Sequence, residues 1–332
     1  MEFGKVTPEE LEQIDFTLPS DKPETTAILK RRPSANPNIF VGCAKWGRKD
    51  WVGKIYPKGT KEADFLNHYS QQFNCIELNA TFYRMPTRPQ MAAWKSKVTP
   101  GFKFCPKFVN TITHIRRLKN TTAEVDRFME AMTGFEDALG PILLMPHPTF
   151  GPKNIDVLRN FIQELPKDIS LFTELRHEEW YSDEVAHQDV FSMLEEMRSG
   201  SIITDTSGRR DMVHMRLTTP EVFIRFVGNG LHPTDYTRID DWVQRIKKWK
   251  DEGIHTVYFF MHQHEELHSP ELCRYLIQQL NTHCGTSIRE PKFAVADQTM
   301  PELGLGIEYK PKKAAGTKSK RDAKPEAESK KQ

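Results

Sequence analysis

Residues 222–261 read VFIRFVGNGLHPTDYTRIDDWVQRIKKWKDEGIHTVYFFM, and this stretch holds two short apolar runs on either side of a helical pattern. The runs at 222–227 and 256–261 have the length and composition of buried strands. Between them, Asp235 is a candidate helix cap, and apolar residues then recur three and four positions apart. The inner face of that helix is predicted to consist of Ile239, Trp242, Val243, Ile246 and Trp249. The order strand, helix, strand predicts a crossover between parallel strands.

The same rhythm extends back to residue 39. Eight candidate strands alternate with longer segments, most of which have helical spacing. This order favours an α/β fold with a single (β/α)8 TIM-type barrel, and a doubly wound open sheet is the alternative. The weak point is the segment 207–220, which reads as a long loop where a helix is expected. The candidate strands are residues 39–43, 75–79, 102–107, 141–145, 169–175, 201–205, 222–227 and 256–261.

Two segments flank the predicted barrel domain at 39–309. Residues 1–38 read as an N-terminal extension, with a short helix capped by Thr7 and then a surface linker. Residues 310–332 hold nine Lys or Arg against three Asp or Glu and no aromatic residue, which predicts a disordered basic tail. The formal charge of +2 therefore divides into +6 for this tail and −4 for the rest of the chain. Such a tail is either a solvated appendage or a weak, sequence-independent contact for nucleic acid.

Several classes of protein are excluded by patterns that the chain lacks. No apolar run is long enough for a membrane helix, and the first 40 residues have no secretory apolar region, so we expect a cytoplasmic protein without a membrane partner. No P-loop, dinucleotide-binding glycine fingerprint or G-x-S-x-G motif occurs. The cysteines are odd in number and widely spaced, which predicts reduced thiols. They are Cys43, Cys75, Cys105, Cys273 and Cys284.

Polar residues at the carboxyl ends of the candidate strands form the candidate site, because barrels of this type carry their chemistry at that edge. On the second strand Glu77 and Asn79 share a face, and on the fifth Glu174 and Arg176 do so. The candidate catalytic residues are Glu77, Lys107, His114, Glu174, His177 and Asp205. The candidate substrate-binding residues are Lys45, Trp46, Asn79, Tyr83, Arg176, Trp180, Arg225 and His262.

Several segments resemble the YecE-like family, a domain of unknown function. They include VGCAKW at 41–46, IELNATFYRMP at 76–86, ELRHEEW at 174–180 and FIRFVG at 223–228. The resemblance runs in order from about residue 39 to residue 283, and it implies a TIM-type barrel with no established reaction. Two departures suggest a variant ligand or binding mode: segment 143–146 has no glutamine, and the eighth strand ends in MHQH at 261–264 where an Asn-Asn pair is usual.

Four interpretations of these strand-end residues are open. Glu77 and Glu174 could supply the acid and base of an enzyme acting on a sugar-like substrate. Lys107, Arg176 and Arg225 could bind a phosphorylated or carboxylated ligand, aided by the glycine-flanked loop at 228–230. A divalent metal could bind to Glu, Asp and His side chains at the same edge. The fourth interpretation is a purely structural ion-pair network.

From these residues we expect an enzyme that acts on a small polar ligand, either sugar-like or phosphorylated. A hydrolase or a lyase would suit the side chains, although no particular reaction follows from the sequence. A non-catalytic protein that binds a ligand or nucleic acid is the alternative. No cofactor is predicted apart from the divalent metal considered above, and the oligomeric state is left open.

Overall fold

The computed structural model describes residues 3–31 and 36–294, in which eight strands alternate with helices. The strands are β1 (Asn38–Cys43), β2 (Cys75–Leu78), β3 (Lys103–Pro106), β4 (Ile142–Leu144), β5 (Leu171–Thr173), β6 (Gly200–Asp205), β7 (Glu221–Gly228) and β8 (Thr256–Gln263). The helices are α1 (Pro8–Leu11), α2 (Pro23–Arg31), α3 (Phe65–Gln72), α4 (Ala80–Tyr83), α5 (Arg88–Lys95), α6 (Thr122–Met132), α7 (Ile155–Glu164), α8 (Glu179–Ser182), α9 (Glu184–Glu196), α10 (Pro233–Glu252) and α11 (Ser269–Cys284).

The strands pair in parallel and form two sheets. Six of them lie in the order β1-β8-β7-β6-β5-β4, and β2 pairs with β3 in the second sheet. The two runs of residues 222–261 become the neighbours β7 and β8, with Val222 opposite Val257 and Phe226 opposite Met261. Two isolated bridges, Phe104 with Leu139 and Lys107 with Leu143, continue the second sheet towards β4. The α/β fold with parallel strands and crossover helices is therefore confirmed, in a TIM-like arrangement.

Side chains join β1 to β2 where no backbone ladder forms. Asn74 accepts a hydrogen bond from the Val41 N–H at 2.8 Å and donates one to the Ile39 carbonyl at 2.9 Å. The Tyr69 hydroxyl accepts from the Cys43 N–H at 2.7 Å and donates to the carbonyl of Cys75. A Cβ at position 42 would lie 2.1 Å from that carbonyl, so the close approach of the two strands requires glycine there.

One apolar cluster receives side chains from all eight strands. The residue two positions beyond a cluster member on the same strand faces the same side, because side chains alternate along a strand. That position carries a charged side chain or a histidine on five strands, so the alternation directs these five side chains to one place. The cluster comprises Phe40, Cys75, Cys105, Leu143, Phe172, Ile202, Phe223, Tyr258 and Phe260. The residues beyond it are Glu77, Lys107, Glu174, Arg225 and His262.

The predicted helix between β7 and β8 begins two residues before its predicted cap. His232 caps α10, accepting from the Thr234 N–H at 3.3 Å, and Pro233 occupies the first turn, where its missing N–H costs nothing. Asp235 lies inside the helix and accepts from the N–H of Asn229 instead. Between β6 and β7 the predicted long loop is confirmed, with only a short 3-10 turn at Arg210–Met212.

The N-terminal extension contains a second helix where the sequence predicts a linker. In α2, Ile28 and Leu29 are buried, and Thr25 donates to the carbonyl of Met215 and accepts from the N–H of Leu217. The apolar stripe of this helix is short and is surrounded by Thr, Lys and Arg. The composition of the segment therefore indicated a linker and not a helix. The predicted cap of α1 is confirmed, since Thr7 accepts from the Glu10 N–H.

Two further predictions concern membrane-spanning helices and the C-terminal tail. Among the described residues, every helix is too short or too polar to cross a membrane. The predicted disordered tail at 310–332 and the last part of the predicted barrel, 295–309, lie outside the described residues.

Candidate functional site

A group of buried charges centres on Arg225 of β7. Its Nε and Nη2 atoms donate to the two carboxylate oxygens of Glu77 on β2, at 2.9 and 3.0 Å. Its Nη1 atom donates to Glu174, which follows β5. All three side chains are at most 2% exposed. One guanidinium thus holds two carboxylates that come from strands of different sheets.

Each carboxylate also has a second polar neighbour. Asn79 donates to Oε1 of Glu77 at 3.0 Å, and Nε2 of His262 lies 2.9 Å from Oε2. Arg176 donates from Nε to Oε1 of Glu174 at 2.5 Å. Every oxygen of the two carboxylates therefore has a donor nearby. We call the five side chains that pair in this way (Glu77, Glu174, Arg176, Arg225 and His262) the ion-pair cluster.

The cluster keeps both carboxylates ionised. Burial alone would raise the pKa of Glu77, but Arg225 and His262 outweigh it and hold the pKa well below its usual range. Burial is likewise outweighed by Arg176 and Arg225 at Glu174, so the pKa of this carboxyl is lowered to about 2. A general acid and base pair requires two pKa values that are pushed apart. Here both are lowered, so the interpretation of Glu77 and Glu174 as such a pair lacks its acid.

Lys107 lies beside this cluster without joining it. Its backbone is fixed by Thr81, whose hydroxyl accepts from the Lys107 N–H at 3.1 Å and donates to its carbonyl at 2.7 Å. Its Nζ lies 4.3 Å from the centre of the Phe82 ring, within cation–π range. Within residues 3–31 and 36–294, no carboxylate pairs with this ammonium and no group accepts a hydrogen bond from it, although the residue is only 6% exposed.

The surroundings of Lys107 disfavour its charged form. Burial lowers its pKa, the positive charges of Arg225 and Arg176 lower it further, and Glu174 and Glu77 offset only part of this. The resulting pKa is about 7, against an ordinary 10.5. A substantial fraction of the side chain is therefore a neutral amine at physiological pH.

His114 also packs against Phe82. The two rings meet edge to face with their centres 4.9 Å apart, and Nδ1 of His114 lies 2.9 Å from the Thr113 hydroxyl. Burial and the charge of Lys107 lower the pKa of His114 to about 4, so its imidazole is neutral at physiological pH. No hydrogen bond joins its Nε2 to any residue in the described ranges. Lys107, Phe82 and His114 thus form a second group at the same edge.

Asp205 belongs to a different group of charges. It accepts from Arg238 at 2.8 Å and from the indole N–H of Trp242 at 2.7 Å, and it also pairs with Arg210. Ile202 faces the apolar cluster of the strands, so Asp205, three residues later, faces the helix layer and α10. The prediction that placed Asp205 with the catalytic candidates did not apply this alternation. The structure does not bring it to the ion-pair cluster.

Within the described residues, the side chains of the remaining candidates form no hydrogen bond or ion pair with the ion-pair cluster. Trp180 is fully buried and donates its indole N–H to the Phe150 carbonyl at 2.7 Å, which leaves it no surface for a ligand here. His177 accepts from the Glu179 N–H. Tyr83 is 75% exposed, Lys45 is exposed, and half-buried Trp46 packs edge to face on Trp94.

The loop after β7 is already occupied by groups of the chain itself. The Asn229 N–H lies 2.9 Å from both carboxylate oxygens of Asp235, and the Gly230 N–H donates to the side-chain carbonyl of Gln263 at 3.1 Å. These backbone donors were predicted to help bind an anionic ligand. In the structure a carboxylate of α10 takes the place that an external anion would need.

The described residues form no metal site at the ion-pair cluster, and the cavity reported below lies elsewhere. Within residues 3–31 and 36–294, no group of three His, Cys, Asp or Glu residues is arranged to hold a metal ion. A cavity of about 430 Å³ lies at the opposite, amino-terminal edge of the strands, lined by Asn38, Asn74, Phe102 and Gly285 among others. The charged groups described above do not line it.

Comparison with known proteins places the chain in a family. The family described as "Protein of unknown function DUF72" matches residues 40–294. The chain belongs to the DUF72 family. It is 25% identical over 284 residues to the UPF0759 protein YecE of Escherichia coli K12, covering 80% of this chain and 95% of YecE. It is also 26% identical to the UPF0759 protein YunF of Bacillus subtilis over 166 residues, which cover 48% of this chain and 57% of YunF.

Solved structures of DUF72 proteins have the same fold. A DUF72 family protein of Enterococcus faecalis superimposes with a TM-score of 0.57 at 17% identity, covering 76% of this chain and all of the other. A DUF72 family protein of Thermotoga maritima gives a TM-score of 0.55 at 20% identity, covering 74% and 98%. The resemblance seen in the sequence is therefore confirmed, and these structures support the TIM-like fold.

Two aromatic residues of the site in this DUF72 chain were not predicted. Phe82 contacts the ammonium of Lys107, whereas its neighbour Tyr83 was chosen from the sequence. Position 82 follows Asn79 by three residues across the short helix α4, a spacing that could have identified it. Phe3 stacks on the guanidinium of Arg176 at 4.1 Å. It lies before the matched region 40–294, and no signal in the sequence connects it to β5.

Proposed function

We propose that this DUF72 chain is an enzyme that binds a small anionic ligand, sugar-like or phosphorylated, at the carboxyl edge of its strands, and that Lys107 acts on this ligand. The observation that carries the proposal is the ammonium of Lys107, which is buried and has no ion pair among the described residues. An uncompensated buried charge is costly, and such groups concentrate at functional sites.

The donors near Lys107 match an anion. Arg176 uses only its Nε in the ion-pair cluster, so both of its Nη atoms are without an acceptor among the described residues, and its side chain is 12% exposed. When Lys107 is protonated, three cations (Lys107, Arg176 and Arg225) face the carboxylates of Glu77 and Glu174. A carboxylate or phosphate would balance the remaining positive charge.

The proposal includes a complete (β/α)8 barrel. It is supported by the apolar cluster with side chains from all eight strands, and by the contacts of Asn74 and Tyr69 between β1 and β2. In such a barrel the proposed site lies at the edge where barrel enzymes carry their active sites. All five cysteines are free and buried, which fits the reducing cytoplasm expected from the sequence.

Inorganic phosphate is the first probe of this site. We expect phosphate, compared with chloride at equal ionic strength, to raise the melting temperature of the chain in a concentration-dependent way, because a ligand that binds only the folded state stabilises it. The K107M and R176M variants should lose most of this shift. The K61M variant, which removes an exposed lysine elsewhere, should retain it.

Two results would overturn the proposal. One is a wild-type melting temperature that phosphate does not change relative to chloride. The other is an equal shift in K107M, because phosphate would then bind elsewhere. If anions bind but no turnover of any sugar phosphate is measured, the non-catalytic alternative replaces the enzyme.

A further inference from the structure

We propose that Lys107 condenses with the carbonyl carbon of its ligand to form an imine, which makes the substrate class small carbonyl compounds that carry a carboxylate or phosphate. This inference rests on the proposed function and adds a covalent step to it. It starts from one amine that lies against an aromatic ring, and from a guanidinium with free donors that is close enough to act on the charge of this amine.

The amine is presented as a nucleophile. Thr81 fixes the Lys107 backbone on both sides of the residue, and the Phe82 ring lies against Nζ. The charged groups that act on it are Arg225, Arg176, Glu174 and Glu77. Their balance, together with burial, leaves a fraction of neutral amine at physiological pH, and only the neutral amine can attack a carbonyl carbon.

Arg176 is placed to hold the anionic group of the same ligand. Its Nε donates to Glu174, and its guanidinium lies over the ring of Phe3. One edge and one face of the guanidinium are therefore held in place. The two Nη atoms then offer the paired donors that carboxylates and phosphates accept. Holding the anion there would orient the carbonyl group towards Lys107.

His114 can move the protons that the reaction requires. The nitrogen of Lys107 attacks the carbonyl carbon, and a proton passes from nitrogen to oxygen to give a carbinolamine. Loss of the hydroxyl group with one further proton releases water and leaves the C=N bond. The neutral imidazole of His114, with Nδ1 held by Thr113, can accept a proton at Nε2 and return it to the departing hydroxyl.

Borohydride trapping tests this step. The full chain is incubated with pyruvate or with dihydroxyacetone phosphate, borohydride is added to reduce any C=N bond to a stable amine, and peptides are mapped by mass spectrometry. We expect the reduced adduct on the peptide containing Lys107 in the wild type and in K61M, and no adduct at that position in K107M. H114Q should slow adduct formation at Lys107 by about 100-fold.

The outcomes separate this inference from the function on which it rests. If phosphate stabilises the chain through Lys107 but neither carbonyl compound is trapped there, the imine is wrong and the anion site stands. Adducts spread equally over surface lysines would also overturn the imine. If phosphate does not bind at all, the proposed function itself fails.

Discussion

Replacement of Arg225 by Met is expected to lower the free energy of unfolding by about 3–5 kcal/mol, because it leaves two buried carboxylates without their shared cation. Arg225 makes two hydrogen bonds to Glu77 and one to Glu174, and none of the three side chains reaches solvent appreciably. Methionine fills a similar volume, so a cavity contributes little to the loss. Urea denaturation at neutral pH measures the effect.

Two controls test whether charge is the cause. The triple variant R225M/E77Q/E174Q should recover part of the loss, since no ionised group then remains unpaired. K49M, which removes one member of an exposed surface pair with Glu62, should leave the stability nearly unchanged. An R225M variant as stable as the wild type would contradict the described cluster.

Lowering the pH should narrow the difference in the free energy of unfolding between R225M and the wild type. The lowered pKa of Glu174 stabilises the wild-type fold above its ordinary value of 4.5, and this contribution is lost as the pH falls towards about 2. In R225M the carboxyl binds its proton at a higher pH, so less stability remains to be lost. A difference between the variants that stays constant from pH 6 to pH 3 would rule out this electrostatic explanation.

The K107M substitution, in contrast, is expected to stabilise the fold. The pKa of Lys107 is about 7 in the folded chain and has the ordinary value of 10.5 in the unfolded chain. Below pH 7 the side chain is protonated in both states, and its charge then destabilises the folded state. Each unit of difference corresponds to about 1.4 kcal/mol, and we expect K107M to gain about 2–5 kcal/mol at pH 6.

The stabilisation by K107M should depend on pH in a predictable direction. Between pH 7 and 10.5 the unfolded wild-type chain binds more protons at Lys107 than the folded chain, so wild-type stability rises with pH over this range. The advantage of K107M should therefore shrink as the pH rises from 7 towards 10.5. K61M should show no such trend. A K107M variant that is less stable than the wild type at pH 6 would mean that the ammonium is paired after all.

The sequence identified most of the strands and most of the residues that meet at their ends. Alternation along short apolar runs was sufficient to place Glu77 with Asn79 and Glu174 with Arg176, because a strand has only two faces. The unit at 222–261 was recognised because its helix has five apolar residues at regular spacing. The same alternation, applied to β6 from Ile202, would have directed Asp205 away from the site.

The pairing of the charges could not be predicted. Three cations were available for two carboxylates, and only the positions of the side chains decide that Arg225 takes both and that Lys107 takes neither. The contact of Phe3 with Arg176 was also out of reach, since it joins residues 173 positions apart with no local pattern. Helix α2 was missed because its buried face is only a few residues long.

The titration of Lys107 tests the central claim most directly, because the proposed site depends on an ammonium that lacks an ion pair. The chain can be labelled with ¹³Cε-lysine, the Lys107 resonance assigned as the one missing from K107M, and its chemical shift followed from pH 5 to pH 11. A midpoint near 7 is the predicted result. A midpoint at or above the ordinary 10.5 would contradict the account, because Lys107 would then be one more cation neutralised by Glu77 and Glu174.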